Sequence, residues 1–175
     1  MDGTKSGQAF VCTRISYDYK TVICLGSRRY TEELDPDELE KVQIEFIKEM
    51  MYKYKTGIDY ILPDSAESVL IRGLKRAVEV ANINTTVRGC EKGNINDRID
   101  CERIMIAYNM FWYIKDECDT LVDALSSALW DEDSKEDERL DDLTTDIDTL
   151  DAFEYSFSRY IKRINDAIDR DRQSA

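Results

Sequence analysis

Apolar side chains recur every three or four residues through much of the chain, which is the spacing typical of amphipathic helices. One such stripe predicts a helix over residues 35–57, and a second predicts a helix over residues 64–82. The first helix begins at Asp35-Pro36-Asp37-Glu38, a capping box with proline at the first helical position. The second begins at Pro63-Asp64-Ser65-Ala66-Glu67, in which we interpret Asp64 as the helix cap.

The second half of the chain lacks the residues that break helices, since all seven glycines lie at or before Gly93 and the last proline is Pro63. Residues 104–114 are apolar on nearly every side, which is typical of a helix surrounded by other helices. Farther on, apolar residues fall seven apart in two rows that Glu154 interrupts, and these are Leu140, Ile147, Ile161 and Ile168, then Leu143, Leu150, Phe157 and Ile164. We therefore expect two long antiparallel helices over residues 96–130 and 136–171.

The N-terminal segment has a different character, because residues 10–17 and 21–25 are rich in β-branched and aromatic side chains. They predict a small β-hairpin within residues 1–30. The expected fold is mostly α, a helical bundle built on a long antiparallel helix hairpin, with a small N-terminal β-hairpin. We expect residues 1–175 to form a single domain.

Charge divides the chain unevenly. It has 37 acidic and 24 basic residues in 175, no histidine, and a formal net charge of −13. The absence of histidine excludes Ser-His-Asp and Cys-His catalysis and most zinc sites. Residues 116–154 hold sixteen acids and two bases, a net charge of −14, so the remainder of the chain sums to +1. In the expected helix hairpin these acids form one acidic lobe around the shared turn.

Acids three or four residues apart on a helix lie about 5–6 Å apart, and such a face could imitate a nucleic-acid backbone. The predicted function is a non-catalytic acidic protein–protein interaction module, such as a viral or phage inhibitor or counter-defence protein, that mimics nucleic acid and blocks a basic surface of its target. A solubilising acidic face is the competing interpretation. The residues predicted to bind the partner are Asp131, Asp133, Asp137, Asp141, Asp142, Asp146 and Asp148.

The predicted partner is a basic protein, such as one that binds nucleic acid. We expect no direct contact with nucleic acid or membrane, no cofactor, no metal and no catalytic residue. The heptad seam could also support a homodimer.

Two alternative functions stay open. Residues 42–54 resemble the first helix of Bcl-2-like proteins, and Leu70-x-x-x-Leu74 followed by Val78-Glu79 resembles a BH3 segment, with residues 104–114 as the central helix. This resemblance implies a helical groove that binds amphipathic helices. The second alternative is a Mg²⁺-dependent all-α nucleotide hydrolase, because carboxylates such as Glu138 and Asp141 share a helix face.

The N-terminus has no stretch that resembles a signal peptide, and the longest apolar run is too short to span a membrane, so we expect a cytoplasmic protein. The five cysteines include no Cys-x-x-Cys pair, which favours reduced thiols. A disulfide between Cys12 and Cys24 across the hairpin stays open.

Overall fold

The computed structural model describes residues 7–129, 139–140 and 144–174, over which strands and helices alternate. In chain order the elements are β1 (Gln8–Ile15), β2 (Val22–Tyr30), α1 (Pro36–Tyr54), β3 (Tyr60–Ile61), α2 (Ser68–Val80), β4 (Thr86–Val87), α3 (Ile95–Ala107), β5 (Phe111–Tyr113), α4 (Asp119–Ser127), α5 (Ile147–Phe157) and α6 (Ile161–Ser174). A short 3-10 turn, Ser158–Tyr160, joins α5 to α6.

The main sheet has three strands in the order β1-β2-β5. Strands β1 and β2 are antiparallel, with Gln8 opposite Tyr30 and Ile15 opposite Val22. Strand β5 pairs in parallel with the start of β2, and β3 and β4 form a second, two-stranded parallel sheet. The fold is therefore mixed α/β with helices interleaved between the strands, and the prediction of a mostly α bundle is wrong.

The largest error lies in the expected helix over 96–130. Helix α3 ends at Ala107, and Asn109 and Asp116 have left-handed φ values of 56° and 66° that turn the chain on either side of β5. The intervening Phe111, Trp112 and Tyr113 pair with β2. Aromatic residues favour strands when a neighbouring strand is available, and this long-range partner is invisible in local periodicity. Trp112 is 57% exposed, so the run is not the buried centre of a bundle.

The expected helix over 136–171 is also broken. Of its first residues, 136–138 and 141–143 lie outside the described part of the chain. Helix α5 begins only at Ile147, and the 3-10 turn separates it from α6. Among the described positions of the two rows, Phe157, Ile164 and Ile168 pack into the protein's own core instead of forming a straight heptad seam.

Two apolar cores hold these elements together. In the larger core, Phe153, Phe157 and Ile164 from α5 and α6 pack on Val22 and Cys24 of β2, and none of these five side chains is exposed. Each fully buried large apolar side chain contributes roughly 1.5–3 kcal/mol. The smaller core joins α1, α2 and the β3-β4 sheet through residues including Ile47, Leu74, Val78 and Val87.

All five cysteines are free thiols. The bulge between Cys12 and Thr13 places Cys12 opposite Gly26, so the hairpin does not join Cys12 to Cys24. The Sγ atom of Cys24 instead lies 3.3 Å from that of Cys118. Within the described ranges, no helix is both long enough and apolar enough to cross a membrane.

Candidate functional site

A large cleft, with a volume of about 840 Å³, opens between β1, α1, the segment that leads into and out of β3, and α5. Its lining combines apolar side chains of the smaller core with carboxylates, among them Asp64, Asp148 and Asp151. Large concave sites with a few convergent polar groups are the usual places for ligands, so this cleft is the candidate site.

Asp64 enters the cleft directly after β3. It does not cap α2, which begins only at Ser68, and its Oδ1 instead accepts the N–H of Ala66 at 2.8 Å in the preceding turn. Lys92 Nζ lies 2.8 Å from the same oxygen. Burial acts to raise the pKa of Asp64, but the hydrogen bonds from Lys92 and Ala66 outweigh it, so this pKa lies below its usual value. Asp64 is therefore held as a carboxylate.

Asp148 enters the cleft from the first turn of α5. Its Oδ2 accepts the N–H of Gly7 at 2.9 Å and lies 3.8 Å from Nη2 of Arg29. A Cβ atom on Gly7 would lie 2.8 Å from this oxygen and 3.1 Å from the Tyr30 carbonyl, so only glycine lets the backbone approach so closely. The helix N-terminus further favours negative charge at this position.

Beside the cleft, α3 and α5 are joined by a group of charges that we call the Arg–Glu cluster, formed by Arg98, Arg139, Asp151 and Glu154. Only Asp151 among them lines the cleft and is partly exposed. The Glu154 side chain has no exposed surface, and it pairs with Arg98 Nε at 2.8 Å and also with Arg139. Asp151 lies 3.6 Å from Arg98 and 3.8 Å from Arg139. Since these carboxylates are matched by two arginines, the cluster is an internal support for α5 and hence for Asp148.

Glu102 of α3 adjoins this cluster and is 8% exposed, and its Oε2 has no hydrogen-bond partner. Burial, followed by the charge of Glu154, raises the pKa of Glu102 to about 7, although Arg139 acts in the opposite direction. The charged form of this side chain is therefore unfavourable in the folded protein.

We expect Glu102→Gln to stabilise the protein increasingly as the pH rises. The pKa of Glu102 is near 4.5 in the unfolded chain and about 7 in the folded one, so the folded state binds more protons between these values and wild-type stability falls there with pH. The free-energy cost of ionising Glu102 in the folded protein is absent below the lower pKa and complete above the upper one. It is at most about 3 kcal/mol. Urea unfolding of both proteins at pH 4.5, 6 and 8 measures it, and a constant difference between them would contradict the argument.

The carboxylates of the cleft suit a divalent metal by their chemistry. Oxygen ligands are those that Mg²⁺ and Mn²⁺ prefer, and Mg²⁺ is commonly held by one or two carboxylates together with water and substrate phosphates. Asp64 and Asp148 are carboxylates of this kind, because each accepts a backbone N–H and lines the open cleft. Among the described residues, no group of three or more His, Cys, Asp or Glu side chains is placed to hold a metal ion.

Only two of the seven predicted partner-binding residues, Asp146 and Asp148, fall in the described part of the chain. Asp146 is 8% exposed and caps α5 by accepting the N–H and hydroxyl of Thr149 at 3.0 and 2.6 Å. Asp148 faces the cleft. The other five, Asp131, Asp133, Asp137, Asp141 and Asp142, lie outside the described residues.

Asp64 is not recognisable as a site residue from the sequence, because its position after Pro63 is also typical of a helix cap. Glu154 likewise is interpreted from the sequence as an interruption of a heptad seam, whereas it is the centre of the Arg–Glu cluster. A carboxylate at a buried position of an apolar stripe is an unusual feature, since buried charges require a partner, and it could have indicated this cluster.

Comparison with known proteins gives one informative likeness. No protein-family model matches the chain, and no curated protein sequence matches it. Among solved structures, the fold resembles that of the nuclease domain of g2p, the large terminase of bacteriophage SPP1, whose crystal structure contains bound Mn. The TM-score is 0.57 at 19% identity, and the likeness covers 86% of this chain and 77% of that one. The fold is thus of the kind found in a terminase nuclease domain.

This likeness corrects the functional predictions. The expected all-α, non-catalytic DNA mimic requires a helix hairpin with an acidic tip, and the chain instead has a nuclease-domain fold with a three-stranded sheet. The expectation that it is not an enzyme is contradicted by the same likeness. The Bcl-2-like alternative requires a central helix over residues 104–114, but part of that range forms the strand β5. The metal-dependent hydrolase alternative agrees better with the fold, although its all-α architecture is wrong.

Proposed function

We propose that this protein is a divalent-metal-dependent nuclease that hydrolyses phosphodiester bonds in the cleft between β1, β3 and α5. The observation that carries the proposal is the presence of Asp64 and Asp148 in one open cleft of a fold resembling a nuclease domain. The Mn in the crystal structure of that domain agrees with a carboxylate site of this kind. We also propose that the protein is located in the cytoplasm.

In this proposal, Asp64 and Asp148 would hold the metal. When bound, such an ion supplies Lewis-acid stabilisation of phosphoryl oxygens and lowers the pKa of a bound water. Lys92 and the N–H of Ala66 keep Asp64 ionised and fixed at the end of β3. The N–H of Gly7 and the guanidinium of Arg29 hold Asp148 in place. The Arg–Glu cluster fixes α5, which carries Asp148, whereas Asp64 lies in the loop between β3 and α2 and is held by its own hydrogen bonds.

The proposal departs from the expectation of no contact with nucleic acid. The acidic stretch 116–154 accounts for the whole net charge, and the rest of the chain carries +1. Repulsion of phosphate is therefore not a property of the entire surface. A basic protein partner and a homodimer stay predictions that the nuclease proposal neither needs nor excludes.

We expect the purified protein to cleave DNA only when a divalent metal is present. Supercoiled plasmid and a linear duplex are incubated with 5 mM Mg²⁺, Mn²⁺ or Ca²⁺, or with excess EDTA. Nicked or shortened products with Mg²⁺ or Mn²⁺, and none with EDTA, would support the proposal. Cleavage that persists in EDTA, or no cleavage with any metal, would overturn it. A preparation of the Asp64→Asn, Asp148→Asn double variant, purified identically, controls for contaminating nucleases.

A further inference from the structure

Arginine and tyrosine side chains form a ridge along the cleft, which we call the Arg–Tyr ridge and define as Tyr19, Tyr60, Tyr160, Arg159 and Arg163. The guanidinium carbon of Arg159 lies 4.2 Å from the ring centre of Tyr60 and 5.0 Å from that of Tyr160. The guanidinium carbon of Arg163 lies 5.4 Å from the ring centre of Tyr19. The ring centres of Tyr19 and Tyr160 are 5.9 Å apart. These separations are within the range of cation–π attraction and aromatic packing.

The turn between β1 and β2 presents Tyr19 to this ridge. Tyr19 has a left-handed φ of 60°, which is uncommon for a bulky residue, and its N–H donates to the Ser16 carbonyl at 3.0 Å. The Ser16 hydroxyl accepts the N–H groups of Lys20 and Thr21. Arg163 donates to the Tyr19 hydroxyl. The hydrogen bonds of the turn and the hydrogen bond from Arg163 therefore fix the position of Tyr19.

The arginines of the ridge have no acidic counterpart. Arg159 lies in the 3-10 turn and Arg163 in the first turn of α6, four residues later. Neither forms an ion pair with a carboxylate in the described part of the chain, and Nη1 of Arg159 has no hydrogen-bond partner. Arg14 of β1, exposed and also lining the cleft, is likewise without an ion pair there. By contrast, Arg88, which also contacts Tyr60, is neutralised by Glu91.

Three arginines without an ion pair among the described residues offer a binding place for a negatively charged partner. The tyrosines of the ridge, Tyr19, Tyr60 and Tyr160, line the same cleft as Asp64 and Asp148, and Arg159 and Arg163 contact these tyrosine rings. Guanidinium groups are suited to phosphate because they are always charged and donate in a planar fork. Tyr17, whose side chain is fully exposed beside Tyr19, adds an aromatic surface at the same edge.

We propose that the Arg–Tyr ridge, together with Arg14, binds the sugar–phosphate backbone of a polynucleotide that extends out of the cleft. The inference rests on the proposed nuclease function and adds to it the surface that holds the nucleic-acid chain beyond the two carboxylates. The ridge itself performs no chemistry, and its role is to align the chain so that one phosphate lies at Asp64 and Asp148.

The inference is tested by binding in EDTA, where no cleavage interferes. The fluorescence anisotropy of a labelled 20-base-pair DNA duplex is measured from 50 to 300 mM KCl with the wild-type protein and with the Arg159→Ala, Arg163→Ala double variant. Each phosphate contact contributes about 0.9 to the slope of log K against log salt, so this slope should fall in magnitude by about two. Arg14→Ala, which removes no ion pair within the described part of the chain, should lower the magnitude of this slope by about one.

Two controls separate charge from folding. Arg159→Lys, Arg163→Lys retains the charges and should keep most of the salt slope, and Arg103→Ala, at an exposed position on α3 paired with Asp100, should leave it unchanged. Unchanged slopes in both the double alanine variant and Arg14→Ala would overturn the inference even if the protein cleaves DNA. Conversely, ridge-dependent binding without metal-dependent cleavage would overturn the nuclease proposal and leave the ridge as a binding surface.

Discussion

Glu154→Ala should lower the free energy of unfolding by about 3–5 kcal/mol, because it leaves two buried arginines with only the more distant and partly exposed Asp151 as a carboxylate partner. Glu154 has no exposed surface, and its two oxygens pair with Arg98 and Arg139, whose side chains are each 7% exposed. For a chain of this length such a loss lowers the melting temperature by roughly 6–20 °C. Urea denaturation and a thermal scan at pH 7 measure it directly.

Two further variants show whether the unpaired charge is the cause. Glu79→Ala, at an exposed position on α2, should change stability by less than about 0.5 kcal/mol. The triple replacement Arg98→Met, Arg139→Met, Glu154→Leu removes the three buried charges of the cluster and leaves only Asp151, which is 32% exposed. It should recover much of the loss, since apolar groups of similar volume can replace a buried ion pair. A loss below about 1 kcal/mol for Glu154→Ala would show that the Arg–Glu cluster does not hold α3 and α5 together.

Features that depend on neighbouring residues in the chain could be predicted from the sequence. The capping box at Asp35 is one, because Asp35 accepts the Glu38 N–H at 2.9 Å and Glu38 accepts the Asp35 N–H at 3.1 Å. The start of α1 at Pro36 follows from that local chemistry. The β-branched and aromatic segments that form β1 and β2 were also visible, although not the sheet to which they belong.

Features that depend on distant partners could not be predicted in this way. The segment Phe111–Tyr113 is a strand because the edge of β2 accepts it in parallel, through residues nearly ninety positions away in sequence. Local periodicity treats the same aromatic run as a buried helix. The candidate site could not be predicted for a similar reason. Asp64 and Asp148 line one cleft only because β3 and α5 lie beside β1 in the folded protein. The acid count correctly locates the negative charge, but it does not distinguish a helix cap such as Asp146 from a cleft residue such as Asp148.

Asp64→Asn and Asp148→Asn should each reduce metal-dependent cleavage at least about a hundredfold, with little loss of the folded structure. Losing a group that merely orients a metal ligand costs roughly 10–100-fold, so loss of a ligand itself should cost more. Asparagine keeps the shape of the side chain and one carbonyl oxygen, so the N–H groups of Ala66 and Gly7 retain an acceptor. Initial rates on the linear duplex at saturating Mn²⁺ measure the effect.

A second measurement ties this loss to the metal and not to a general disturbance of the cleft. A metal that binds only the folded state raises the melting temperature in proportion to RT ln(1 + [metal]/Kd), so Mn²⁺ should stabilise the wild-type protein and not the Asp64→Asn, Asp148→Asn double variant. Asp100→Asn, an exposed carboxylate on α3, should keep both cleavage and stabilisation. Full activity in either single variant would remove that residue from the proposed metal site. Loss of activity with unchanged Mn²⁺ stabilisation would instead place the ion elsewhere and leave Asp64 and Asp148 with a role in binding substrate.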